Sequence, residues 1–209
     1  MNNPLASRKI QILAGLIIVA AAATIGLVKA RPTHHVSSTS TTNMPSYTYQ
    51  GQLPTSEIHG QQATIVTRKG NITFTLDDAQ SPIAVSNFIY LAKAGYYNGI
   101  LWHRVENWVV QMGDPQTKNP SSSSAQWGSG GPGYTIPDEP VTGEYVAGVV
   151  AMAKTSAPNS AGSQIFILKQ DTPLPKTYQI IGRVTSGQDV VNNLAVGDQV
   201  QSVTIAAAK

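Results

Sequence analysis

The side chains best suited to chemistry stand in one short segment, where His103 and Arg104 are adjacent and Gln111 follows. The chain has no cysteine, which excludes disulfides, thiolate nucleophiles and cysteine-ligated metal sites. Only His103, of the 4 histidines, lies in a strongly patterned region, and no G-x-S-x-G motif is present. Covalent chemistry and metal chemistry are therefore not expected, and the sequence implies no cofactor.

The charge balance of the chain argues against one class of partner. Its 14 Lys and Arg against 11 Asp and Glu give a formal net charge of +3 and a pI near 9.1. No cluster of Lys and Arg is accompanied by aromatic residues, as nucleic-acid binding would need. The excess amounts to a mildly basic surface, so no nucleic-acid partner is predicted.

Residues 10–28 form a run without a charged side chain, between a short basic N-terminus at residues 1–9 and the basic residues Lys29 and Arg31. As a helix this run would span about 28 Å, close to the ~30 Å hydrocarbon core of a bilayer. We predict an N-terminal hydrophobic helix that is a transmembrane signal anchor, with the rest of the chain outside the cytoplasm. The alternative is a signal peptide cleaved after residues 28–30, which would give a secreted protein.

Residues 29–54 are rich in Ser and Thr and contain few large apolar side chains. Such a segment cannot bury a core and is predicted to be a flexible linker. Patterned sequence follows it, so one folded domain is expected over residues 55–209. We expect this domain to be monomeric.

The patterned region alternates short apolar runs with loops rich in Gly, Pro and Asn. A helix is predicted from Ser81, as N-cap, to Gly95, with Pro82 at its first position, and a shorter one over residues 188–195. The pattern favours a mainly β fold, a closed barrel of antiparallel strands capped by two helices. Strands are predicted over residues 63–67, 72–76, 108–110, 146–153, 165–168, 179–184 and 199–205.

The motifs around the candidate residues resemble those of a known family, the cyclophilins. Residues 102–105 (Trp-His-Arg-Val) and 108–114 (Trp-Val-Val-Gln-Met-Gly-Asp) resemble its signature Phe-His-Arg-Val through Phe-x-x-Gln-Gly-Gly-Asp. Residues 128–134 resemble its glycine-rich loop, and residues 158–167 are similar to its Gly-Ser-Gln-Phe-Phe-Ile block. The order of these blocks identifies the chain as a member of the family over about residues 63–205. Membership implies a closed eight-stranded antiparallel barrel and peptidyl-prolyl cis/trans isomerase activity.

The chain departs from the family pattern in the signature itself. The stretch between Arg104 and Gln111 is one residue shorter than usual, and Met112 stands where the family has glycine. Glycine often marks a position that needs a positive φ or a close approach of backbone. These departures bear on the geometry of the site more than on the fold.

The implied reaction needs no nucleophile. An X-Pro bond prefers trans by only ~0.5–1 kcal/mol, but its rotation barrier is ~18–20 kcal/mol. A donor that stabilises electron density returning to the prolyl nitrogen lowers this barrier, and a water-poor apolar pocket strengthens that interaction while it grips the ring.

The resemblance assigns roles to particular residues. Arg104 matches the catalytic arginine, and Gln111 would bond the peptide backbone of a proline-containing polypeptide and orient Arg104. The substrate-binding residues by their matched positions are Trp108, Val109, Phe166 and Leu174 in the proline pocket, Tyr178 at its far wall, Gln164 beside the neighbouring substrate residues, and His103 at the rim.

Two functions remain open at this point. The first is an isomerase that accelerates X-Pro rotation in folding or exported polypeptides. The second is a binding module whose groove holds Pro-containing segments, as a chaperone or scaffold, without useful turnover. Retention of Arg104 and Gln111 favours the enzyme, whereas the shorter loop and Met112 leave room for the binding module.

Overall fold

The computed structural model describes residues 46–119 and 121–208. The predicted N-terminal hydrophobic helix at residues 10–28 lies outside the described residues, as does most of the predicted linker at residues 29–54. Among the described residues, no helix combines the length and the apolar character that crossing a membrane requires. The predicted anchor therefore stays a prediction.

The described residues contain eight strands and three α-helices. The seven strands and two helices that were predicted by range each correspond to one of these elements. The two main predicted helices are present, and α1, β3 and two 3-10 helices at Pro115–Lys118 and Ser124–Gln126 are additional. The helices are α1 Thr55–Ile58, α2 Pro82–Lys93 and α3 Gln188–Asn193. The strands are β1 Gln61–Thr67, β2 Gly70–Leu76, β3 Arg104–Val105, β4 Val109–Met112, β5 Val149–Met152, β6 Ile165–Leu168, β7 Ile180–Ser186 and β8 Val200–Ala207.

The strands form one antiparallel sheet in the order β3-β4-β6-β5-β7-β2-β1-β8, a curled half-barrel. β3 and β8 are the ends of this order. Just before β3, the N–H groups of Gly99 and Trp102 donate to the carbonyls of Val200 and Asp198, at 2.7 and 2.9 Å. The mainly β antiparallel fold is thus confirmed, whereas the closed barrel is not.

The N-terminus of α2 is capped by a residue far away in the chain. Ser81 is the N-cap residue as predicted, but its hydroxyl is buried and makes no hydrogen bond among the described residues. Instead the Glu139 carboxylate accepts from the N–H groups of Ile83 and Ala84, at 2.7 and 2.9 Å. A carboxylate at this end of a helix also opposes the positive end of the helix dipole. Glu139 therefore has a structural role.

The two faces of the sheet carry two separate apolar clusters, because side chains alternate along a strand. In β4, Val110 and Met112 belong to the larger cluster, here called the main core, together with the apolar residues of α2. Val109 points to the other face and joins a smaller cluster, here called the pocket cluster. In β6, Phe166 likewise belongs to the pocket cluster, while its neighbour Ile167 belongs to the main core.

The last part of the predicted linker packs on the domain. The ring of Tyr47 meets the ring of Tyr96 edge-on, with 4.9 Å between centroids. The Leu53 N–H donates to the Ser86 hydroxyl of α2 at 2.9 Å. Residues 46–54 are therefore held against the domain, whereas the small number of large apolar side chains in residues 29–54 had predicted a flexible linker.

Candidate active site

The β3–β4 hairpin brings the two predicted catalytic residues together. Arg104 and Gln111 are register partners across the two strands, so their side chains leave the same face. Arg104 Nη1 donates to Gln111 Oε1 at 3.3 Å. The Arg104 side chain keeps 39% of its surface exposed, so the guanidinium remains accessible to a ligand.

A chain of amide hydrogen bonds continues from Gln111 to the glycine-rich loop. Gln111 Nε2 donates to Gln164 Oε1 at 2.8 Å. Gln164 Nε2 in turn donates to the carbonyls of Gly128 and Gly130, both at 2.8 Å. Gln164 is therefore fully engaged with neighbouring groups, and it orients Gln111 from the side opposite to Arg104.

The glycine-rich loop is also fixed by a buried carboxylate. Asp114, which has no exposed surface, accepts from the N–H groups of Gly128 and Gly130 through Oδ2, at 2.6 and 3.1 Å. A Cβ on Gly130 would collide with the same carboxylate. The Asp that ends the signature at residues 108–114 thus positions the loop beside the site.

The five residues predicted for the proline pocket lie in one cluster. Val109 and Phe166 are buried members of the pocket cluster, and Trp108, Leu174 and Tyr178 are partly buried against them. The rings of Phe166 and Tyr178 meet edge-on with 5.5 Å between centroids. Their roles in binding stay predictions, but the structure brings them together on the face of the sheet that carries Gln111.

Two tyrosines at the far side of this cluster are tied to each other. The Tyr145 hydroxyl donates to the Tyr178 carbonyl at 2.9 Å and accepts from the Tyr178 N–H at 3.0 Å. Sequence reasoning missed Tyr145, which is buried in the pocket cluster. It secures the backbone of the segment that ends in Tyr178.

Glu106 is a residue of the site that sequence reasoning missed. Its Oε1 accepts from Arg104 Nε at 2.6 Å, and its Oε2 accepts from the Trp108 indole N–H at 2.8 Å. The hydrogen bond from the Arg104 guanidinium lowers the pKa of the Glu106 carboxyl below its ordinary value. The spacing was a usable signal, because residues i and i+2 of an extended strand share a face.

His103 differs from the other predicted binding residues. Both of its ring nitrogens are buried and make no hydrogen bond to the described residues, and the ring lies beside Gly128. Burial lowers the pKa of its imidazole below the ordinary 6.5, although the nearby Asp114 carboxylate acts in the opposite direction. The residue as a whole is only partly buried, so its place at the rim of the pocket stays a prediction, although its ring nitrogens are covered.

The structure explains the methionine at position 112. Met112 lies in β4 with no exposed surface and belongs to the main core. The position that requires glycine is the next one: Gly113 has a φ of 110°, and a Cβ there would collide with the Ser163 carbonyl. Met112 therefore does not face the site, which removes one of the two observations that left room for a non-catalytic module.

Comparisons with known proteins agree with this arrangement. The sequence profile of the family described as "Cyclophilin type peptidyl-prolyl cis-trans isomerase/CLD" matches residues 62–209. A peptidyl-prolyl cis-trans isomerase of Helicobacter pylori is 36% identical over 152 residues, which cover 70% of this chain and 87% of the relative. One of Synechococcus elongatus is 34% identical over 148 residues, which cover 69% and 95%.

A solved structure has the same fold. The Cryptosporidium parvum cyclophilin type peptidyl-prolyl cis-trans isomerase, crystallised in the presence of the dipeptide Ala-Pro, superposes with a TM-score of 0.60 at 27% identity, and the match covers 69% of this chain and 98% of that one. With the Arg104–Gln111 pair beside an apolar cluster, these matches show that the chain belongs to the cyclophilin-type peptidyl-prolyl cis-trans isomerases.

Proposed function

We propose that Arg104 is the catalytic residue of this isomerase and acts as a hydrogen-bond donor to the prolyl nitrogen. The observation that carries the proposal is the position of its guanidinium. The Arg104 Cζ lies 5.1 Å from the centroid of the Trp108 ring, which is part of the pocket cluster. A proline held against that cluster would have its amide nitrogen beside an always-charged donor.

In this mechanism each part of the site has one task. The pocket cluster grips the pyrrolidine ring, and its apolar surface strengthens the hydrogen bond from Arg104. As the peptide bond twists, its nitrogen becomes pyramidal and regains electron density, so the bond from Arg104 is stronger in the transition state than in the ground state. Gln111 holds the flanking backbone of the proline-containing polypeptide, and Gln164 keeps the Gln111 side chain in place. No proton is transferred and no covalent bond forms.

Replacement of Arg104 tests this role. Arg104→Ala is expected to lower kcat/KM for a short X-Pro peptide by about 10²–10³-fold, as loss of one preorganised donor does. Arg104→Lys should restore little, because an ammonium group lacks the planar fork of N–H groups. The free energy of unfolding should change little, since 39% of the side-chain surface is exposed. Near-normal activity of the alanine variant would refute the role of Arg104.

The place of action is a separate proposal. We propose that the uncharged run at residues 10–28 anchors the chain in a membrane and that the isomerase acts outside the cytoplasm on folding or exported polypeptides. Full-length protein should then fractionate with membranes and carry its own N-terminus. A soluble form that begins at Arg31 would select the secreted alternative instead. Sedimentation of the released domain tests the expected monomer.

A further inference from the structure

The shortened hairpin loop at residues 106–108 carries a hydrogen-bonded unit that the family resemblance does not assign. The Glu106 N–H donates to the Val109 carbonyl at 2.8 Å, which extends the β3–β4 pairing by one residue. Glu106 therefore continues the extended strand and shares a face with Arg104. This continuation of the strand places a carboxylate beside the guanidinium.

Both carboxylate oxygens of Glu106 accept hydrogen bonds, one from the candidate catalytic residue and one from a pocket residue. Oε1 accepts from Arg104 Nε and Oε2 accepts from the Trp108 indole, at 2.6 and 2.8 Å. The guanidinium also lies over the Trp108 ring. We call Arg104, Glu106 and Trp108 the hairpin clamp.

The clamp leaves the working end of the guanidinium available. An arginine has five N–H donors, and among the described residues only Nε and Nη1 donate, to Glu106 and Gln111. Nε is the nitrogen bonded to the aliphatic part of the side chain. A carboxylate at Nε therefore fixes the plane of the guanidinium and leaves the N–H groups of Nη2 available. The remaining N–H groups can therefore meet a substrate.

We propose that Glu106 is a positioning residue of the isomerase, which holds the donor Arg104 and the pocket residue Trp108 in one fixed arrangement. The inference rests on the proposed catalytic role of Arg104 and adds to it. A donor and a pocket wall that are joined through one carboxylate keep their separation while the substrate twists. Such preorganisation matters because small misplacements of a catalytic group lower rates strongly.

The test is Glu106→Gln in the full-length chain, with isomerisation of an X-Pro peptide followed by NMR exchange. We expect kcat/KM to fall about tenfold, with most of the loss in kcat. The Arg104 Nε–H resonance should lose the downfield shift of a charge-assisted hydrogen bond. The matched control is Glu57→Gln, because Glu57 has a similarly exposed side chain, 46% against 44%, and is also ion-paired, to Lys93. This control should leave kcat/KM unchanged.

A double-mutant cycle separates positioning from a direct effect on the substrate. In the Arg104→Ala background, Glu106→Gln should cause a smaller loss than in the wild-type background, because only its contact with Trp108 is then left to break. An equal loss in both backgrounds, or wild-type or raised activity of Glu106→Gln alone, would overturn the role of Glu106 while leaving that of Arg104 intact. Wild-type activity of Arg104→Ala would overturn both. Trp108→Phe keeps the ring but removes the indole donor, and should give a smaller loss than Glu106→Gln.

Discussion

The main core and the pocket cluster share strands β4 to β7 but have different functions. The large aromatic residues of the main core, such as Phe74, Phe88 and Trp102, have no exposed surface. In the pocket cluster, Trp108, Leu174 and Tyr178 are only partly buried. The difference shows how a short strand can contribute to stability with one side chain and to ligand binding with the next.

This comparison predicts that substitutions on the two faces separate stability from activity. A change in the main core should lower the free energy of unfolding and spare the activity of the molecules that remain folded. A change in the pocket cluster should do the reverse. Each of the following experiments breaks or sharpens that contrast, beginning with the largest expected effect.

Met112→Gly restores the residue that the family has at this position, yet it should be strongly destabilising. Removal of a buried methionine side chain leaves a cavity, which costs about 2–5 kcal/mol for truncation to alanine, and glycine in a strand adds about 0.5–1 kcal/mol. Urea unfolding measures the loss, and kcat/KM per folded molecule should stay within about twofold. Met112→Leu, which nearly conserves volume, should cost less than about 1.5 kcal/mol. A stable but inactive glycine variant would contradict this interpretation.

A matched pair of alanine substitutions compares the two faces directly. Ile167→Ala, in the main core with no exposed surface, should lose about 2–5 kcal/mol of unfolding free energy and keep its activity. Leu174→Ala, in the pocket cluster, should lose less than about 1 kcal/mol of stability. Its kcat/KM should fall about three- to tenfold, since about 1 kcal/mol of contact with the proline ring is lost. Equal losses of activity in the two variants would remove the distinction between the faces.

The smallest effect concerns His103, which lies between the hairpin and the glycine-rich loop. Because burial lowers its pKa below the ordinary 6.5, the unfolded chain binds a proton there at a higher pH than the native chain does. Stability should therefore fall as the pH drops below about 6.5 and level off below the native pKa. His103→Gln should show a weaker decline over the same range in thermal unfolding. An identical decline in both proteins would show that other groups cause it.

The sequence was sufficient to predict most of the strands, which depend on local pattern. It also predicted which residues share the pocket cluster, because the order of the motifs indicates this. The sequence was insufficient where a contact depends on the face of the sheet to which a side chain points. The family pattern has glycine where Met112 stands, which suggested an effect on the site. The alternation of side chains along β4 instead directs Met112 into the main core. Glu106 was overlooked because it lies outside the matched motif blocks, although its spacing from Arg104 places both residues on one face of the strand.

Contacts between distant segments were also beyond sequence reasoning. Ser81 was a sound prediction for the N-cap position, but the group that satisfies the helix is Glu139, and nothing local to Ser81 indicates it. The docking of Tyr47 on Tyr96 depends on a surface that exists only once the domain has folded. Local secondary-structure propensity cannot predict either contact.

The way in which Asp114 holds the glycine-rich loop has a consequence for how this protein can evolve. The carboxylate binds backbone N–H groups, so the shape of the loop does not depend on most of its side chains. Glycine is required at Gly130, where a Cβ would collide with Asp114, and is favoured at Gly128 and Gly133, which both have a φ of 93°. Ser129 is exposed, and a Cβ on Gly131 would meet no atom of the described residues within 4 Å. Mutations at these two positions could therefore diversify the preference for residues flanking proline while the scaffold and the chemistry stay unchanged.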